Sequence, residues 1–291
     1  MLAAFQATLF RVGLATERRR SGLVPKDVQT GGHTYHYLER TGPGDVIVLL
    51  HGFAAEKDNW LAFVGHLPAD ARVLAIDLPG HGDNARPMDE RFNAQTLASG
   101  VLAVLDALAI HAFHVAGNSL GGSVAILIAS ERPEAVSSLG LFNSAGVFPH
   151  EQSEFFELLE AGDNALVVHN RAELERFFRL IFHAPPPMPW PMRAVLARRY
   201  AERAEFHEKM WEDVYSREDA SQHLRRVRAP ALILWGDRDR VLHVASVPLF
   251  ARDLADSETV ILNETGHCPM LERPGRCADA YSRFLQRVRE R

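Results

Sequence analysis

A chain of 291 residues can form one large domain or two small ones, so length alone decides nothing. Its 47% hydrophobic and 24% charged residues are those of a globular protein with a full core. A formal charge of −5 leaves no basic footprint for nucleic acid.

The first sixteen residues are mostly apolar, but Arg11 interrupts them and no small-x-small cleavage site follows. They fit neither a signal peptide nor a span of about 20 apolar residues. Leu2, Phe5, Leu9 and Phe10 share one helical face, with Glu17 and Arg18 to Arg20 beyond it. Two readings stand: a helix docked on the body, or an interfacial helix that touches a membrane peripherally.

After a hairpin around 28–39 comes the run Asp45-Val-Ile-Val-Leu-Leu50, which stops at His51-Gly52. It lacks period-2 alternation, as a strand buried on both faces should. Similar runs at 72–77, 113–116, 138–143, 231–235 and 259–262 also stop at Gly, Pro or Asn. Helical patterns at 94–108, 120–130 and 274–288 fill the gaps, the second apolar on nearly every side. Strands alternating with helices predict a parallel sheet covered on both faces. Between 147 and 228 the rhythm changes to aromatics, Arg, Glu and a Pro-rich stretch with no buried strand, which reads as a helical insertion.

The central motif, Gly117-Asn118-Ser119-Leu120-Gly121, follows a predicted strand and precedes a predicted helix, the context a nucleophile elbow requires. A serine hydroxyl needs a base to take its proton. Of fourteen histidines, His267 lies in a loop after the last strand, at the sheet edge where Ser119 is expected. An acid must hold that histidine's tautomer, and Asp237 and Asp239 both follow the strand ending at Trp235. Asp239 lies deeper in the loop and can turn back toward the histidine, whereas Asp237 is suited to shaping the turn. Oxyanion donors are expected from the backbone N–H of Leu120 and, in His51-Gly52-Phe53, from that of Phe53. Asp77 and His81 read as a Pro-Gly turn beside the site rather than a metal cluster, and no H-E-x-x-H occurs. Cys268 and Cys277 are too few for a disulfide framework.

Together these residues resemble the α/β-hydrolase superfamily, and within it the monoacylglycerol-lipase and ABHD-type esterase group with its bacterial relatives. The stretches that carry the resemblance are 51–60, Asp77-Leu-Pro-Gly-His-Gly82, Gly117 to Gly122, Trp235-Gly-Asp-Arg-Asp239 and 266–274. The resemblance implies an α/β-hydrolase fold: a mostly parallel eight-stranded sheet flanked by helices, with a helical cap between strands six and seven. It divides the chain into an N-terminal helical segment (1–26), a core (27–146 and 229–291) and a cap or lid (147–228). It implies a serine esterase or lipase that forms an acyl-enzyme on Ser119, with Asp239 and His267 completing the triad and Gly117 and Gly121 flanking the elbow. No cofactor and no metal are expected. The expected partner is a small-molecule ester with a medium or longer acyl chain, and the expected place the cytoplasm or its membrane face. A carbon–carbon bond hydrolase of aromatic ring-fission products is the nearest rival. Such enzymes usually carry Trp soon after the catalytic histidine, where this chain has Cys268-Pro269-Met270. A non-catalytic small-ligand binding protein is the alternative of another class, and turnover separates it.

Overall fold

A computed structural model describes residues 1–215 and 220–291. The chain opens with α1 (Leu2–Ser21), ended by Gly22 in the left-handed conformation, whose N–H and that of Leu23 bond back to the last turn. The helix runs five residues beyond the apolar stretch, because Glu17 to Arg20 are good helix formers and nothing stops it before Gly22. Antiparallel β1 (Val24–Thr30) and β2 (His33–Arg40) follow, turning at Gly31 and Gly32, both at positive φ.

Next come β3 (Val46–Leu50), α2 (Leu61–Val64), β4 (Arg72–Ile76), α3 (Ala94–Ala107), β5 (Phe113–Ser119), α4 (Leu120–Glu131) and β6 (Val136–Ser144). Among the described residues, five helices then intervene: α5 (Glu154–Glu160), α6 (Arg171–Ile181), α7 (Trp190–Glu202), α8 (Ala204–Val214) and α9 (Ser221–Leu224). The chain closes with β7 (Ala231–Gly236), α10 (Ser246–Asp253), β8 (Ser257–Leu262), α11 (Pro269–Glu272) and α12 (Pro274–Arg289). The sheet has eight strands in the order β1-β2-β4-β3-β5-β6-β7-β8. Pairings from β4 to β8 are parallel, and only those made by β2 are antiparallel.

The apolar runs are central strands because both faces are covered: Ile47 to Leu50 and Leu232 to Trp235 are essentially without exposure. Burying each such side chain is worth roughly 1.5–3 kcal/mol. Helix α4 is buried on nearly every side, and α3 turns Leu97, Val101, Val104 and Leu105 inward. The side chains of Asn93, Ser153 and Asn170 cap the starts of α3, α5 and α6, each worth about 1 kcal/mol.

Helix α1 is fastened to α7, where Arg198 donates to Gln6 and Arg199 lies over the Phe10 ring. Arg18 forms a two-pronged bond with Asp58 at 2.7 Å. Leu2, Phe5, Leu9 and Val12 of α1 remain exposed, as does Trp190 at the start of α7. Among the described residues, no helix is long and apolar enough to cross a membrane.

Candidate active site

Strand β5 runs through the glycine motif, so Ser119 is both its last residue and the N-cap of α4, at φ 53° and ψ −121°. That backbone state is costly for a residue with a side chain and persists only where its surroundings impose it. They do: a Cβ on Gly117 would fall on the carbonyl of Gly121, and one on Gly121 on the carbonyl of Leu50. The N–H of Leu120 opens α4 and so has no intrahelical acceptor.

The imidazole and acid come from loops after β8 and β7. His267 Nδ1 donates to Asp239 Oδ2 at 2.8 Å, both side chains buried. A carboxylate only accepts here, so Nδ1 carries the proton and Nε2 is the free base nitrogen. The N–H groups of Val241 and Leu242 donate to Asp239 Oδ1 at 2.8 and 2.9 Å. His267 is held by its main chain as well: its N–H donates to Ile181 O at 2.8 Å, and its carbonyl accepts from Asn118 Nδ2 at 3.0 Å. The imidazole loop is therefore tied to the residue directly before Ser119. The Ser119 hydroxyl makes no hydrogen bond among the described residues and lines a cavity. Asp237 lies apart from the imidazole, accepting from Thr265 N–H at 3.3 Å and pairing with Arg238. It braces the next loop rather than its own turn.

The loop after β3 is built on buried polar pairs. Leu78 N–H donates to His51 Nε2 at 3.0 Å, so His51 Nδ1 carries the proton and donates to Gly52 O at 2.8 Å. Burial holds the His51 pKa down to about 4, which keeps the ring neutral. Asp77 Oδ1 accepts from Lys57 N–H, and its Oδ2 accepts from Lys57 Nζ at 2.6 Å and Asp83 N–H at 2.9 Å. This lysine clamp fixes the descending half of the loop. Gly52 lets the loop come close, since a Cβ there would sit 3.2 Å from Ser119 Cβ. Ala54 is at φ 55°, and Ala55 N–H closes the turn on Gly52 O. The Phe53 N–H has no acceptor among the described residues, while its ring lines the same cavity as Ser119 and Leu120.

That cavity, of about 450 Å³, runs between Ser119 and the helices after β6, with Leu127, Phe148, Phe155, Phe156, Leu166 and Trp211 among its walls. Cys268 and Cys277 are buried and free, and burial raises both thiol pKa values. Among the described residues no group of three or more His, Cys, Asp or Glu is arranged to hold a metal ion.

Three side chains that support this geometry have no motif of their own in the sequence. Asn143, at the end of β6 and fully buried, donates from Nδ2 to Asp239 Oδ2 at 2.7 Å and accepts the Gly236 N–H at 3.2 Å. Its φ of 44° is a state that asparagine tolerates better than most residues. Asn118 bonds the carbonyls of Phe142 and His267, and Lys57 fills the clamp. The one available signal was position: an amide ending a predicted strand beside the elbow.

The profile of the α/β-hydrolase fold family matches residues 45–274. A monoacylglycerol lipase of Xenopus laevis (abhd6-B) is 29% identical, over 96% of this chain and 87% of its own length. Among solved structures, a membrane phospholipase A described as a bacterial virulence factor superposes with a TM-score of 0.96 and 38% identity, covering 99% of this chain and 93% of that one. A putative lipase from Acinetobacter baumannii gives a TM-score of 0.89 and 28% identity, covering 97% of each chain.

Proposed function

Because the chain belongs to the α/β-hydrolase fold family, we propose that it is a carboxylic ester hydrolase of lipase or monoacylglycerol-lipase type that works through an acyl-enzyme on Ser119. One observation carries the reading: the buried His267–Asp239 bond at 2.8 Å, in a loop that Asn118 ties to the elbow. His267 Nε2 takes the Ser119 proton as the hydroxyl oxygen attacks the ester carbonyl carbon. The N–H groups of Phe53 and Leu120 receive the oxyanion. On collapse the carbon–alkoxy bond breaks, and His267 returns the proton to the departing alcohol. Water then repeats both steps on the acyl-enzyme and releases the acid.

The domain reading has residues 27–146 and 229–291 as the hydrolase core, 147–228 as its cap and 1–26 as a docked N-terminal segment. The aromatic walls of the 450 Å³ cavity support an acyl site for medium or longer chains. The exposed Leu2, Phe5, Leu9 and Val12 of α1 support peripheral contact with a lipid surface that presents such esters. The names of the relatives, lipases and a phospholipase, agree with a lipid ester as substrate.

Turnover of p-nitrophenyl butyrate by the wild type, compared with Ser119→Ala, is the test. Equal rates would end the hydrolase reading and leave a small-ligand binding protein. A ring-fission dienoate assayed in parallel checks the carbon–carbon hydrolase reading, which preferential turnover of that compound would favour.

A further inference from the structure

A second, smaller cavity of about 110 Å³ lies beyond the oxyanion loop, between residues 54–56 and helices α6 to α8. Its apolar end carries Phe178, Ile181 and Leu271, and its polar end Arg199, Arg203 and His207. The two cavities flank one loop: Phe53 lines the larger, Ala54 the smaller, and the Phe53 and His207 rings meet at 5.8 Å between their centres. Consecutive residues of that loop, Phe53 and Ala54, therefore face two different cavities.

The departing alcohol takes its proton from His267, so it must leave on the imidazole side. The smaller cavity is the one walled by that loop's supports. Ile181 accepts the His267 N–H, and Leu271 donates its N–H to the Cys268 carbonyl. The larger cavity, lined by Ser119, Leu120 and aromatic rings, suits the acyl chain. Size agrees: the smaller space admits a short polar head group, not a long chain.

The polar end has donors to spare. Arg199 is matched, its two terminal nitrogens bonding both Glu56 oxygens at 2.6 and 3.1 Å. Arg203 has only the same carboxylate, at 4.0 Å, and no side-chain hydrogen bond among the described residues. His207 is 3% exposed, and its Nδ1 has no partner. The Nε of Arg86, in the same electrostatic neighbourhood, also lacks one. Leaving a buried polar group unmatched is costly, and such groups in folded proteins usually have a partner. Burial and the neighbouring Arg199 hold the Arg203 guanidinium below its ordinary pKa, a strain that an anion would relieve. The His207 pKa, lowered to about 3 by burial, keeps the ring neutral, so it offers hydrogen bonding without adding charge.

We propose that this cavity is the leaving-group subsite and that it takes a phosphate-bearing alcohol, with Arg203 and His207 as the contacts to the anion. The inference rests on the ester-hydrolase reading and names the alcohol half of its substrate. The test compares kcat/KM for 1-octanoyl-glycerol and 1-octanoyl-glycerol 3-phosphate, in the wild type and in Arg203→Gln. The wild type should favour the phosphate ester by ~10-fold or more, and Arg203→Gln should erase most of that ratio through KM, with Arg203→Lys recovering part of it. A wild type that favours the neutral ester, or equal losses on both esters in Arg203→Gln, overturns the proposal. Should the variant not fold, inhibition of the wild type decides. Competition by glycerol 3-phosphate against p-nitrophenyl butyrate, much tighter than by glycerol, supports the subsite. Inorganic phosphate competing as well as glycerol 3-phosphate would mark a free-anion site and reject it. The parent reading fails separately, when p-nitrophenyl butyrate is hydrolysed no faster than by Ser119→Ala.

Discussion

The floor and the roof of the site are built on opposite terms. At the floor, Asp239 accepts from His267, Asn143, Val241 and Leu242, and both ring nitrogens of His51 are hydrogen-bonded. At the roof, α5 to α8 present rings in edge-on contact, such as Phe155 with Trp211. A saturated polar network has one arrangement, and its members hold one another in place. Ring contacts tolerate exchange as long as volume is kept. The polar groups at the sheet edge are thus held in fixed geometry, and the helices above it contribute mainly shape.

The sharpest way to break this contrast is at the floor. Ser119→Ala should fold normally and lose ~10⁴-fold or more in kcat; loss of the fold, seen by circular dichroism, would make the residue structural instead. Asp239→Asn should cost ~10³-fold, while Asp237→Asn, away from the imidazole, stays within a few-fold. Kinetics that single out Asp237 would reverse the assignment of the acid. Asn143→Gly keeps the positive φ accessible and deletes one donor to Asp239. It should lower kcat by ~10-fold, because the Asp239 carboxylate that orients His267 loses one of its anchors. An unchanged kcat would reduce Asn143 to a packing role.

The strand ends, the glycine elbow around Ser119 and the meeting of His267 with Asp239 were legible in the sequence, because each leaves a local mark. Buried parallel strands read as unbroken apolar runs, and a forced turn demands glycine at Gly117 and Gly121. Even the choice between two aspartates two residues apart followed from depth in a loop. Asn143 and Lys57 were not legible. Each acts across more than fifteen residues of sequence on a partner from another loop, and nothing local separates this Asn or Lys from a solvated one. Packing of the ring-rich helices depends on tertiary contacts that carry no period.

A gentler comparison uses pH. His51, His81 and His207 are buried, with pKa values lowered to about 4, 3 and 3 chiefly by desolvation. In the unfolded chain they titrate near ~6.5, so below that pH the unfolded state binds more protons. The stability they contribute is full above ~6.5 and is lost as pH falls toward the folded values, by at most ~1.4 kcal/mol per pH unit for each ring. The thermal midpoint should therefore drop steadily from pH 7 to pH 4.5, and a flat curve would argue that the rings are solvated. The smallest effect on catalysis is expected at α1. Replacing Leu2, Phe5, Leu9 and Val12 by Ser should abolish co-sedimentation with phosphatidylglycerol-containing vesicles while p-nitrophenyl butyrate turnover changes less than ~2-fold. Unchanged sedimentation would assign the face to another use.

Cys268 follows His267 directly and is sealed inside, as is Cys277 on α12. Both thiols are buried, so a chromogenic disulfide reagent modifies them as the structure opens around them. The labelling rate at Cys268 is then a clock for opening at the imidazole loop. It needs no mutation, and it can be read under the same conditions as turnover.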